Sequence, residues 1–154
     1  MALTGDKIYA RCVVTPIETC DEGFEHIQSD IAKRLGGNCN YSLVDELVGD
    51  TFYYDSATAV STSVGDLISG TYTSGANVST SDIIFFLYVK NSNTQEVVLS
   101  LDGSLSPAAA QDSIKLRQGQ TVMVPLNSTL VSDLHVYATA ATTVEVFAVI
   151  EDVA

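Results

Sequence analysis

The sequence predicts a mainly β protein, an antiparallel β-sandwich with one helix near its N-terminus. Three observations carry this expectation. From Ile83 onward, short apolar runs alternate with turn residues: IIFFLYVK, EVVLSLDG, SIKLRQGQTVMVPL, LHVYATA and TVEVFAVIED. These runs are rich in β-branched and aromatic residues, and no long stretch among them repeats at helical spacing. Finally, 154 residues with 46% hydrophobic and 17% charged side chains can bury roughly 68–70% of the unfolded surface in one packed domain. The expected organisation is a single domain, residues 1–154. An N-terminal arm, the helix and outer strands occupy 1–81, and the sandwich core occupies 82–152.

The elements follow in order. Residues Lys7 to Thr15 place Ile8, Ala10, Cys12 and Val14 on one face and Tyr9, Arg11 and Val13 on the other, and Pro16 ends ladder pairing by removing a donor. A capping box at Thr19 and Glu22 then precedes Phe24, Ile27, Ile31 and Leu35 at helical spacing. Acidic residues at the start, Lys33 and Arg34 at the end and Gly36-Gly37 beyond it bound a helix near 20–35. Tyr41 to Val48 fits either helix or strand. The run TFYYD, Thr51 to Asp55, is strand-like, with Phe52 and Tyr54 on one face and Tyr53 on the other. Residues Ser56 to Ser81 read as loop plus edge strands in which Leu67, Ile68 and Tyr72 need burial. Ile83 to Val89 is apolar at consecutive positions, as expected of a central strand covered on both faces. Asp82 and Lys90 bracket it like gatekeeper charges. Val97, Leu99 and Leu101 share a face, Gln118-Gly119 makes a turn, and Val144, Val146, Ala148 and Ile150 form the inner face of the last strand. An immunoglobulin-like or a jelly-roll-like sandwich satisfies this order of strands and turns.

Charge and motif content exclude several classes. Nineteen acidic against seven basic residues give a net charge of −12, which repels nucleic acid and anionic lipid. No apolar run approaches a membrane-spanning length, and the N-terminus lacks the basic start and apolar core of a secretory signal, so cytoplasmic synthesis is expected. Three cysteines, Cys12, Cys20 and Cys39, with His26 lack the close spacing of a zinc knuckle, and no metal is expected. No nucleophile elbow, phosphate loop or calcium loop is present. Asp21-Glu22, Asp45-Glu46 and Glu151-Asp152 read as solvated charges, and His135, between Leu134 and Val136, reads as a satisfied structural histidine or a surface one. No catalytic residue and no cofactor are expected.

The phrases FLYVKNSNTQEVVLSLDG, IKLRQGQTVMVPL and LHVYATAATTVEVFAVIED resemble a pattern of small structural proteins of tailed bacteriophages. In that pattern a central strand ends in a Lys-Asn-like turn, a strand ending in Leu-Asp-Gly follows, and a Leu-x-x-Gly-Gln phrase leads into a Val-Pro-Leu strand. The resemblance covers about residues 82 to 152. It implies a virion component, a capsid decoration or cement protein or else a neck, tail or tail-fibre subunit. Its partners would be other virion proteins and further copies of itself, with no direct contact to nucleic acid or membrane. The expected contact residues are Leu3, Lys7, Ile8 and Tyr9 of the N-terminal segment and the aromatic Phe52, Tyr53 and Tyr54. A carbohydrate-binding sandwich using its tyrosines is the competing expectation.

Overall fold

The computed structural model describes residues 9–12, 39–42, 52–103 and 113–153. By compactness the chain divides into two units, one spanning Leu47–Ala154 and the other Leu3–Glu46. In the smaller unit, β1 (Tyr9–Cys12) and β2 (Cys39–Ser42) form a two-stranded antiparallel sheet running from Tyr9 opposite Ser42 to Cys12 opposite Cys39. The helix expected near 20–35 lies outside the described residues.

Among its described residues the larger unit contains eight strands: β3 (Phe52–Val60), β4 (Gly65–Asp66), β5 (Ile83–Lys90), β6 (Val97–Ser100), β7 (Ile114–Leu116), β8 (Thr121–Leu130), β9 (His135–Ala138) and β10 (Thr142–Glu151). They make two four-stranded antiparallel sheets, a long-stranded one ordered β3-β10-β5-β8 and a short-stranded one ordered β4-β9-β6-β7. Pairing is nested. β6 pairs with β7, β5 with β8, β4 with β9 and β3 with β10, so the chain from β3 to β10 is one long hairpin rolled up with the β6–β7 connection at its tip. Two further pairings, β10 with β5 and β9 with β6, close the roll. This order is that of an eight-stranded jelly roll and excludes the immunoglobulin alternative.

β3 is an edge strand of the long-stranded sheet, and Leu67, Ile68 and Tyr72 lie in the same core as the later strands. The Ser/Thr-rich stretch is thus part of the sandwich, because its few large apolar side chains find their burial there. From the long-stranded sheet the core takes Val60, Ile84, Leu87, Val89, Val144, Val146, Ala148 and Ile150; from the short-stranded sheet it takes Val97, Leu99, Leu116, Val136 and Ala138. Period-two alternation in β10 and β6 is therefore as the sequence predicts. In β5 the inward set changes parity between Ile84 and Leu87, where a register shift opposite Val149 and Ile150 of β10 gives β5 one extra residue.

Two buried polar side chains fasten the ends of the roll. Asn91, fully buried, donates from Nδ2 to the carbonyls of Gln95 (2.6 Å) and Leu116 (2.9 Å), while its Oδ1 accepts from the Asn93 amide at 3.0 Å. Its backbone carbonyl accepts from Gly119 at 2.7 Å, and Gly119 has φ +77, so the expected turn residue is there because a side chain would strain this conformation. Asp82 is likewise fully buried, accepting from the Tyr72 hydroxyl (2.5 Å) and the amides of Ser79 (2.7 Å) and Val153 (3.4 Å). It is an internal hub and not the surface gatekeeper that its position before β5 suggested. Lys90, at the other end of that strand, does face outward.

Candidate functional site

Antiparallel sandwiches normally solvate their outer faces, giving one apolar and one polar face per strand. The long-stranded sheet departs from this rule. Its pairing register sets two rows of outward residues across four strands: Phe52, Val149, Phe86 and Pro125 in one, and Tyr54, Phe147, Tyr88 and Met123 in the next. No member of either row is charged. A third row begins with Glu145 opposite Lys90, followed by Thr121.

Aromatic contacts knit the first two rows together. The Phe147 ring stacks on Phe52 with centroids 6.1 Å apart and meets Phe86 edge-on at 6.4 Å, both favourable ring geometries. Val149 and Phe86 are buried, Phe52, Tyr88, Met123 and Phe147 are half-buried, and Tyr54 and Pro125 are exposed, Tyr54 at 52%. Glu145 links the rows to the charged margin. Its Oε1 accepts from the Tyr54 hydroxyl at 3.2 Å and its Oε2 lies 3.7 Å from Lys90 Nζ. The hydrogen bond to this carboxylate, and then its charge, raise the pKa of the Tyr54 phenol above the ordinary 10.0.

The expected contact residues separate accordingly. Phe52 and Tyr54 lie on this outer face. Tyr53, between them, points the other way, is 2% exposed within the core and donates to the Ser69 carbonyl at 3.1 Å. It is unavailable to a partner or a sugar, a correction that follows from strand alternation. Burial raises its pKa above 10.0. Leu3, Lys7 and Ile8 lie outside the described residues, and Tyr9 begins β1. Sequence reading missed Tyr88, Met123 and Phe147 as half-buried groups of this face. The consecutive apolar residues of β5 were the available signal, and they have two meanings: a strand covered on both faces, or one with an apolar outer face.

Edge β3 is protected by its own side chains. Asp55 accepts from the Ala57 amide (2.9 Å) and the Thr58 hydroxyl (2.8 Å) at a bulge opposite β10, and the Phe52 carbonyl accepts from the Thr73 amide at 2.9 Å. Such devices discourage pairing with a stray strand, which leaves the face of the sheet as the better candidate for contact.

Other polar clusters are less developed. His135, opposite Ser100 in β9, has Nε2 3.6 Å from Asp66 Oδ1, and its buried Nδ1 has no hydrogen-bond partner among the described residues. A shallow recess of about 450 Å³ is lined by Asn93, Thr94, Gln95, Ala141, Thr142 and Thr143. Asn93 Nδ2 there donates to the Thr143 carbonyl at 2.8 Å, and Gln95 Oε1 accepts from the Thr139 hydroxyl at 3.3 Å. These amides are already engaged by the protein itself. Cys12 and Cys39 are cross-strand neighbours, whereas Cys20 and His26 lie outside the described residues. Among the described residues no three His, Cys, Asp or Glu side chains converge as metal ligands, and no helix is long and apolar enough to cross a membrane. No protein-family model, curated protein or solved structure matches the chain.

Proposed function

We propose that this chain is a structural protein of a tailed-bacteriophage virion, a decoration or cement protein that stabilises the capsid shell through protein–protein contacts. The apolar outer face of the β3-β10-β5-β8 sheet carries the proposal. Tyr54 is exposed and Phe147, Tyr88 and Met123 beside it are half-buried, with no charge among them, and partly exposed apolar surface of this kind is a candidate interaction site. Aromatic residues and Met are also the types enriched at the cores of such interfaces. The phage-like phrases of residues 82 to 152 supply the class of partner, and the jelly roll is a fold used by viral capsid domains as well as by lectins, an analogy of fold alone. Repeated copies on a particle would turn modest single contacts into a stable shell.

The test is immunogold labelling of intact particles from the source of this gene, with antibody raised against the purified protein. Label distributed over the head is the expected result. Label confined to one vertex or the tail would replace the decoration role with a neck or tail subunit. Particles that carry no label, intact or gently opened, would refute the virion reading and make the glycan-binding alternative the one to screen.

A further inference from the structure

We infer that Cys12 and Cys39 are an oxidisable pair that closes a cross-strand disulfide in the smaller unit, with Cys20 left as the free thiol. The chain has three cysteines, and sequence alone allows three single bridges: Cys12 to Cys20, Cys20 to Cys39, or Cys12 to Cys39. The pairing of β1 with β2 selects the last. This ladder runs antiparallel from Tyr9 opposite Ser42 to Cys12 opposite Cys39, so the two cysteines are direct Cα partners at its final position. Directly opposite residues of an antiparallel pair have Cα atoms about 4.5 or about 5.5 Å apart, depending on whether they exchange backbone hydrogen bonds. Both separations fall within the range of about 4.4–6.8 Å that a disulfide spans. Opposite partners also share one face of the ribbon, and a slip of one residue would put them on different faces.

This ribbon has reason to carry a staple. Its strands are four residues each, YARC against CNYS, and a two-stranded ribbon is marginally stable at best in water. A link between Cys12 and Cys39 closes residues 13–38 into a loop. The entropy that such a link removes from the unfolded chain grows with loop length. The bridge also falls at the end of the ladder next to residues 13 and 38, where fraying would begin.

The oxidant is glutathione disulfide. The thiolate of one cysteine attacks a glutathione sulfur, forming a mixed disulfide and expelling one glutathione thiolate. The other cysteine's thiolate then attacks the protein sulfur of that mixed disulfide and expels the second glutathione. In sum the protein gives up two electrons and two protons, and glutathione disulfide takes them up to leave as two thiols. A reducing compartment keeps the pair open and an oxidising one closes it, so the staple reports the surroundings of the protein. It does not depend on the virion role.

The deciding experiment equilibrates the full chain with mixtures of reduced and oxidised glutathione, in native buffer and in concentrated urea. Acid quenching, alkylation of free thiols and mass spectrometry of the proteolytic peptides then locate each cysteine's partner. In native buffer the oxidised monomer should be lighter by two hydrogens, yield a peptide joining Cys12 to Cys39, and carry the alkyl label on Cys20. In urea the ladder is gone, and loop closure favours the cysteines nearest in sequence, Cys12 and Cys20. The ratio of the Cys12-to-Cys39 bridge to the Cys12-to-Cys20 bridge should therefore be roughly tenfold or more higher in native buffer than in urea. Cys20→Ser, which retains both partners, should close the bridge at the same glutathione ratio as wild type. Oxidation should also slow hydrogen exchange at the β1 amides by about tenfold or more. A native chain whose Cys12 and Cys39 stay reduced or capped by glutathione, a native bridge that mainly uses Cys20, or a bridge ratio unchanged between buffer and urea would each overturn the inference.

Discussion

Replacing Asn91 with Ala should cost this protein about 3 kcal/mol, because one buried amide joins three parts of the roll. Its Nδ2 holds the carbonyls of Gln95 and Leu116, and its Oδ1 holds the Asn93 amide, at 2.6, 2.9 and 3.0 Å. Each neutral hydrogen bond contributes about 1 kcal/mol net, and leaving a buried carbonyl such as that of Leu116 without a partner costs about 1–3 kcal/mol. The truncated side chain also leaves a small void. Set against a total stability of about 5–15 kcal/mol, this is a large fraction. At about 2–4 °C per kcal/mol for a domain of this size, the midpoint of melting should fall by roughly 6–12 °C. Urea unfolding followed by circular dichroism gives the cleaner number, since the midpoint should drop with the slope unchanged. Asn93→Ala is the control, because the bonds of its side chain to Thr143 are exposed and their loss should cost about 1 kcal/mol or less. An Asn91→Ala protein within about 1 kcal/mol of wild type would refute the assignment of Asn91 as a fastener of the roll.

Two further outcomes follow from the buried and aromatic polar groups. Asp82→Ala removes the acceptor of the Tyr72 hydroxyl and of the Ser79 and Val153 amides; it should cost about 3 kcal/mol and speed hydrogen exchange at both amides, and unchanged exchange there would show that the hub holds nothing in place. Tyr53 and Tyr54 both have pKa values raised above 10.0, Tyr53 by burial and Tyr54 by its hydrogen bond to Glu145. A folded-state pKa above the unfolded one means that the stabilisation is fully present below pH 10.0 and is lost as pH rises through the higher folded values. Ultraviolet titration of Glu145→Gln should return the Tyr54 transition towards 10.0, and a titration identical to wild type would contradict the assigned cause.

Local pattern determined a good part of this protein. The alternation of Val144, Val146, Ala148 and Ile150 against Thr143, Glu145 and Phe147 placed one face of β10 inside, and Val97 and Leu99 did the same for β6, because side-chain direction in a strand depends only on position along it. Gly119 marked its turn for an equally local reason, the left-handed φ it must adopt. The strand-and-turn pattern from Ile83 onward set the mainly β class, and composition set the net charge of −12. Tertiary structure decided the rest. The nested pairing that makes this a jelly roll joins β3 to β10 across most of the larger unit, and such pairing is selected by the packing of all strands together. Alternation could say that Tyr53 faces away from Phe52 and Tyr54, but only the core on one side of β3 says which of them is inside. Asp82 looks like a surface charge until Tyr72, Ser79 and Val153 are brought around it. The apolar outer face belongs to the same category, since consecutive hydrophobic residues in β5 show that both faces are apolar, while the aromatic neighbours that stand beside Phe86 and Tyr88 come from β3 and β10.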